Sequence, residues 1–537
     1  DVMIFIFQHP RNFKRFVPVK LENISANSDL KVKFDFPLKS KIKFEEFIIS
    51  SKTNLSDVIV NDIFSRNFSS NLLSIDLTNN GINIVGEINS NKQGLDLVWK
   101  QDFKKKNNST SISLSGYIDE KMLNGIVNNE IKFTGKVKTE ANFVGNSFNF
   151  NKGDLLLDFR DVKIESYILD WAKPRFSSMV LKSDIIFSDN NEIDFYNFQV
   201  EGPLIQILGD FKFKNNRLLN LNLEKFKFYS SIDNISNNLQ IKYTNNFSSS
   251  LELSILGDVI SIGRDGLSNL LNNTDPSNNY ENIIINVFFD ELNSKSNITY
   301  KNIEFSYDKK LNKLKELSFS ALLNSEPIIY GETSEHNNTK KIELFAVNFE
   351  SLIDVLGLSI NLKGGPIKYS ALIENIEGIE TFSGNLNVDE FSILKLPIFA
   401  KLLNISIPNL TLDADSGIEF KKASAEIKIN SKGIFINDGV IKAKGDLPIF
   451  DNSLGMSISG VYGFSELTNI EGTLVPLASI NRVPSKIPFV GGLFKGDNEG
   501  EGLIGIKYKI YEDEDGLIKI QSNPLSILAP GILQRVF

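Results

Sequence analysis

In Leu219-Asn220-Leu221-Asn222-Leu223-Glu224-Lys225-Phe226-Lys227-Phe228, apolar and polar residues alternate, with one slip at Glu224-Lys225. Successive side chains of an extended chain point to opposite faces, so the pattern predicts a strand with one dry and one wet face. The slip predicts a β-bulge, which bends the strand and keeps the apolar residues on the dry side. Working outward, Phe211 and Phe213 precede this run in the same rhythm, and Val32, Phe34 and Phe36 alternate with Lys31, Lys33 and Asp35. Ile112 and Leu114 do the same. Ile427 and Ile429, then Ile434 and Ile436, flank Ser431-Lys432-Gly433 as a hairpin. Turn signals recur at strand-length intervals: Asn79-Asn80-Gly81, Asp438-Gly439 and Asp515-Gly516.

Helical signals are few. Asp119 caps a predicted turn through Met122 and Leu123, and Asn348 caps another carrying Phe349, Leu352, Ile353 and Leu356 before Gly357. Pro397 opens a third, with Phe399, Leu402 and Leu403 behind it. A weak internal repeat links two of these places. Leu123 to Ile126 precede Gly135 and an alternating run to Phe143; Leu356 to Leu358 precede Gly364-Gly365 and a run through Ile367, Tyr369, Ala371 and Ile373. Repetition of this kind suggests a quasi-one-dimensional stack.

At about 10–12 residues per strand and turn, the chain would hold about 35–45 strands. Side by side at about 4.8 Å each, they would extend on the order of 150–200 Å. A flat sheet of that size curls or splits. The expected fold is therefore mostly β: an elongated, curved, repetitive antiparallel sheet, a U-shaped trough with an apolar inner face and a few short amphipathic helices. An unfilled apolar interior requires a ligand, and Phe211, Phe213, Leu219, Leu221, Leu223, Ile427 and Ile429 are the candidate lining residues.

Composition narrows the chemistry. Of 537 residues, 58 are Lys or Arg and 66 Asp or Glu, a net charge of −8 spread along the chain. Nucleic-acid binding needs a concentrated basic face, which this balance argues against; Lys104 to Lys106 read as a solvated turn. There is no cysteine, so thiolate chemistry and disulfides are excluded. Two histidines, His9 and His336, lie far apart in polar surroundings and give little basis for a zinc site or a catalytic triad. Met3 to Phe7 is the most apolar part of the start and is far shorter than the ~20 residues of a membrane-spanning helix.

Gly500-Glu501-Gly502-Leu503-Ile504-Gly505 matches a dinucleotide fingerprint, but Ile506 to Ile510 alternate as a strand where that chemistry needs a helix. Glu512 to Asp515 read as a solvated hairpin turn, since the ligand spacing of a calcium loop is missing. No phosphate loop or hydrolase motif is present, so neither an enzyme nor a cofactor is expected.

From about Phe345 onward, a series of motifs runs in order: Val355-Leu356-Gly357, Gly364-Gly365-Pro366, and Phe382-Ser383-Gly384-Asn385-Leu386 with Val388 and Phe391. Then come Gly472-Thr473-Leu474-Val475-Pro476, Ile487-Pro488-Phe489-Val490-Gly491-Gly492-Leu493 and Gly500-Glu501-Gly502-Leu503. The last are Asn523-Pro524-Leu525-Ser526, Ala529-Pro530-Gly531 and Arg535 to Phe537. This series resembles the C-terminal region of the AsmA family of bacterial envelope proteins, and the rest resembles the family's β-rich middle only in pattern. The resemblance implies a periplasmic protein of a Gram-negative bacterium that bridges phospholipid toward the outer membrane and maintains its permeability barrier. It also implies an inner-membrane anchor helix, which would lie outside this sequence. Phospholipid or another acyl lipid and membrane surfaces are the expected partners; no protein partner is indicated.

The chain divides on this reading into a β-rich groove segment at 1–271, a central β segment at 272–344 beyond the loop Asn272 to Asn279, and the AsmA-like region at 345–537. Apolar residues concentrate at Ile487, Phe489, Val490, Leu493 and Phe494, and again at Leu525, Leu528, Ile532, Leu533 and Phe537. They are candidates for contact with a membrane or the groove end, or for a cap on the last strands. Two other readings stand beside a lipid conduit: a structural or adhesin-like β-solenoid with a solid core, and an outer-membrane barrel. The barrel fits least, given charges scattered over the wet face and short helices between strands.

Overall fold

The computed structural model describes residues 24–39, 46, 48–63, 66–90, 93–103, 108–120, 131–146, 149–166, 171–188, 192–215, 217–229, 236–246, 249–261, 280–294, 298–336, 339–355, 362–376, 379–393, 418–443, 454–463, 467–476, 506–513 and 518–523. The protein is mostly strand, a large open antiparallel sheet with almost no helix among these residues. It divides into two compact units, Asp1–Ser261 and Ile262–Phe537.

The first unit holds β1 (Ile24–Asp35), β2 (Ile48–Ile63), β3 (Arg66–Thr78), β4 (Gly81–Ser90), β5 (Gln93–Asp102), β6 (Ser109–Asp119), β7 (Ile131–Asn146) and β8 (Asn149–Asp158). It continues with β9 (Val162–Ser166), β10 (Trp171–Lys173), β11 (Val180–Ser188), β12 (Glu192–Gly202), β13 (Ile205–Lys214), β14 (Arg217–Tyr229), β15 (Ser236–Asn245) and β16 (Ser250–Ser261). Strands β1 to β8 pair in sequence, β8 pairs with β11, and β11 to β16 again pair in sequence. Strand β9 pairs with the first residues of β7, and β10 pairs with β9. Thus β8–β9 and β10–β11 are two neighbouring lines of the sheet, each interrupted at the same level.

The second unit holds β17 (Asn282–Asn293), β18 (Thr299–Lys310), β19 (Lys313–Leu323), β20 (Glu326–His336), β21 (Thr339–Ala346), α1 (Phe349–Val355), β22 (Leu362–Gly364) and β23 (Ile367–Ile376). After these come β24 (Ile379–Ile393), β25 (Ile418–Asn430), β26 (Gly433–Ala443), β27 (Leu454–Gly463), β28 (Asn469–Pro476), β29 (Ile506–Glu512) and β30 (Ile518–Asn523). Pairing is sequential except around α1, where β21 pairs with β23 and the short β22 pairs with the end of β24.

Local chemistry explains much of this. The expected bulge at Glu224-Lys225 is present: Leu223 faces Ile241, and the next registered pair is Phe226 with Leu239. Asn348 caps α1, its Oδ1 accepting the Ser351 N–H at 2.8 Å. Ser431-Lys432 forms a two-residue hairpin loop between Asn430 and Gly433. Asn324 and Ser325 both have φ above zero, the requirement of a type I′ turn between β19 and β20.

Asp438-Gly439 corrects an expectation. The pair lies inside β26 as a bulge, with Asp438 at φ 47°, not at a turn between strands. An Asp-Gly pair relieves left-handed backbone equally in either setting. Thirty strands occur among the described residues, fewer than the spacing estimate, and strands as long as 16 residues in β2 and β7 account for part of the difference.

Both halves of the internal repeat show one device. Gly135 (φ 128°) stands where β7 changes neighbours from β9 to β8, and Gly364 and Gly365 (φ 71° and 77°) are the last residue of β22 and the one after it, ahead of β23. Of the other predicted helices, Glu120 is helical, while 121–130 and the Pro397 segment lie outside the described residues.

Candidate functional site

Register places apolar residues side by side across many strands. On β1 to β8 and then β11 to β16, the aligned positions are Leu30, Thr53, Ile75, Ile84, Trp99, Ile112, Phe143, Gly153, Ile185, Phe195, Phe211, Leu221, Tyr243 and Leu253. A parallel row runs Leu55, Leu73, Gly86, Leu97, Leu114, Ala141, Leu155 and Ser183. Pleating turns the interleaved row outward. That row includes Lys52, Asp76, Asn83, Lys100, Asp194, Lys212, Asn220 and Glu252, with Lys212 paired to Asp194 at 3.1 Å.

The second unit repeats the arrangement. Thr333, Ile342, Ala371, Gly384, Ile427, Ile436, Gly460, Ile470 and Ile510 are aligned from β20 to β29. Two glycines on these strands lie under a neighbouring ring. A Cβ on Gly153 would run into the Phe143 ring, and one on Gly331 into Phe319. At Gly86, Gly384 and Gly460 a Cβ would instead meet a backbone carbonyl oxygen of the neighbouring strand first.

Burial varies along the rows. The stretch from Leu55 to Phe103 forms a buried cluster with Val58, Ile75, Ile84 and Leu97. Farther along, Phe195, Phe211, Phe213, Leu219, Leu221, Tyr243 and Leu253 are only half-buried. There the side chains cover one another: Phe195 stacks on Phe211 with centroids 4.6 Å apart, and Phe198 meets Phe211 edge-on at 4.9 Å. In the second unit, Ile342, Tyr369, Ala371 and Ile427 are buried together, with Leu317, Phe382 and Ile429 packed against them.

One pair of contacts accompanies the buried cluster of the second unit. Glu380 at the start of β24 accepts the Leu314 N–H of β19 at 3.0 Å, and Lys340 Nζ of β21 donates to Leu314 O at 2.8 Å. Strands β19 and β24 are four spacings apart through β20, β21 and β23, roughly 19 Å on a flat sheet. A glutamate bridges that only if the sheet turns sharply toward the side that bears Ile342 and Phe382. Burial there pushes the Tyr369 phenol up to about 12, and burial followed by the Glu380 charge does the same to Tyr307.

The candidate lining residues fall as follows. Phe211 and Leu221 are neighbours in the long row; Phe213 faces Ile193 and Leu218; Leu223 is buried and faces Gly209 and Ile241. Leu219 sits at a register irregularity, where Leu218 takes the place opposite Phe213. Ile427 and Ile429 face Gly384 and Phe382 on one side, Ile436 and Ile434 on the other. Sequence reasoning missed Trp99, Phe195 and Tyr243, which only cross-strand register brings into line. Ile487, Phe489, Val490, Leu493, Phe494, Leu525, Leu528, Ile532, Leu533 and Phe537 lie outside the described residues, as does His9.

Among the described residues no group of three or more His, Asp or Glu is placed to hold a metal ion, and no helix is long and apolar enough to cross a membrane. The glycine-rich segment at 500–505 leads into strand β29, as the alternation of Ile506 to Ile510 required. No family model, curated protein or solved structure matches this chain.

Proposed function

We propose that the protein is a non-enzymatic lipid conduit: a curved, trough-like sheet whose registered apolar rows form an inner surface for the acyl chains of phospholipid or a similar lipid. The observation that carries the reading is the fourteen-strand row from Leu30 to Leu253, whose later members Phe195, Phe211, Leu221, Tyr243 and Leu253 are half-buried. Large apolar side chains arranged this way gain from any hydrocarbon laid along them. At about 0.8 kcal/mol per buried CH₂, a ~16-carbon chain gains on the order of 10 kcal/mol, enough to hold lipid without specific headgroup contacts.

The AsmA-like order of C-terminal motifs supports the same reading and suggests the setting: the periplasm, with membrane surfaces at the ends of the path and the outer-membrane barrier as the beneficiary. A structural solenoid with a solid core is the second reading, favoured by the buried cluster around Ile342 and Ile427. Mass spectrometry of an organic extract of the purified protein tests the choice. Co-purifying acyl lipid is the expected result; protein free of lipid after purification from membranes would favour the solid core.

A further inference from the structure

From β4 to β16, one charged side chain stands on the row-bearing side among the described residues. It is Lys173, which faces Ile164, itself opposite Phe133 of β7. Lys173 is 2% exposed, among the buried Val162, Ile164, Trp171 and Phe159. Its Nζ donates to Val162 O at 2.8 Å and Pro174 O at 3.1 Å. An ammonium carries three donors, and a buried one is costly to keep charged when only carbonyls answer it. Burial lowers its pKa, and the charges of Asp158 and Asp161 oppose that shift.

The segment from Pro174 to Met179 joins β10 to β11 beside this lysine, its Pro174 O accepting from Nζ. Its exposed residues include Arg175 and Phe176, with the guanidinium 5.2 Å from the ring centre. Phe176 is 72% exposed and held at φ 67°, a left-handed conformation that a bulky side chain rarely adopts. Its N–H donates to Arg160 O at 2.7 Å, and Arg175 Nε donates to Asp161 O at 3.2 Å. This segment is thus strained at Phe176 and held by a few backbone contacts, and its displacement would release the strain and take the Pro174 carbonyl away from Nζ.

Resting on the conduit reading, we propose that Lys173 and Arg175 together bind the phosphate of an anionic lipid whose chains lie on the adjacent rows, the Pro174–Met179 segment moving aside to admit it. An ammonium and a guanidinium answer phosphate oxygens with charge-assisted hydrogen bonds. The site would make the first unit selective for anionic over zwitterionic headgroups at one point on an otherwise uncharged surface.

The full chain is incubated with vesicles of phosphatidylglycerol or of phosphatidylcholine, and retained lipid is measured after re-isolation; inorganic phosphate is titrated separately. The expected result is a preference for phosphatidylglycerol of roughly tenfold, about 1.4 kcal/mol, abolished in Lys173→Met. Because Lys173 is buried, Arg175→Gln is the second variant; it should keep the wild-type melting temperature and lose most of the preference. Equal retention of both lipids by the wild type overturns this proposal and leaves the conduit reading intact. Retention of neither lipid overturns both. Saturable binding of inorganic phosphate without lipid preference would mark a free-anion site and likewise refute the lipid assignment.

Discussion

Strands β11 to β16 of the first unit and β19 to β26 of the second are built from the same alternation and the same kind of registered row, yet they differ in what covers that row. In the first, Phe195, Phe211 and Leu221 remain half-buried and lean on one another. In the second, Glu380 and Lys340 tie β24 and β21 to the backbone of β19, and Ile342, Tyr369 and Ile427 fill the enclosed space themselves. Alternation decides which face is dry. What separates the two regions is the set of contacts that Glu380 and Lys340 make with Leu314 beside the filled cluster.

One carboxylate placed in each region should separate the two most strongly. Ile427→Glu puts a charge into a filled cluster and should cost several kcal/mol, enough to remove cooperative melting. Leu221→Glu faces a row that water can reach when lipid is absent, and its cost should be about 1 kcal/mol. Equal losses of melting temperature would show that the two regions are covered alike.

A smaller effect is expected from opening the closure itself. Glu380→Ala removes the acceptor of the Leu314 N–H, at about 1–2 kcal/mol. Amide exchange at Leu314 should accelerate while the amides of β13 and β14 stay unchanged. Undiminished protection at Leu314 would mean that the sheet curls for another reason.

The smallest effect is one of pH. The Tyr369 hydroxyl donates to Phe382 O at 3.0 Å, and its folded pKa of about 12 lies above the ordinary value of 10. The phenol's contribution is therefore complete below pH 10 and lost as pH rises through about 12. Tyr229 of the first unit is shifted the opposite way, by hydrogen bonds from Ser236 and Lys227 and by the lysine's charge. Urea unfolding at about pH 8 and about pH 11 should show an alkaline loss of stability that Tyr369→Phe reduces. A slope unchanged by the substitution would place that loss elsewhere.

Much of this was legible in single strands. The phase slip at Glu224-Lys225 can only be a bulge if both flanks face the same way, and Asn348 before an apolar turn is a cap whatever lies around it. Asp438-Gly439 does not by itself distinguish a turn from a bulge, because left-handed backbone serves both. What depends on partners was not legible. Phe195 and Tyr243 join Phe211 and Leu221 only through register, and Glu380 meets Leu314 across 66 residues of sequence. Lys173 carries no local signal at all: in Trp171-Ala172-Lys173-Pro174 it reads as an ordinary surface lysine, and only the interruption of two neighbouring strands buries it.

The conduit itself is tested most directly by lipid content at one point of the row. Wild type, Leu221→Glu and Asn222→Glu are purified from the same membranes, and acyl lipid per protein is measured beside the melting temperature. Asn222 lies on the opposite face, between Asp210 and Lys242, so its variant controls for added charge. Lipid is expected on wild type and Asn222→Glu, with Leu221→Glu folded but depleted of it. A folded Leu221→Glu with undiminished lipid, or a wild type that carries none, would contradict the conduit.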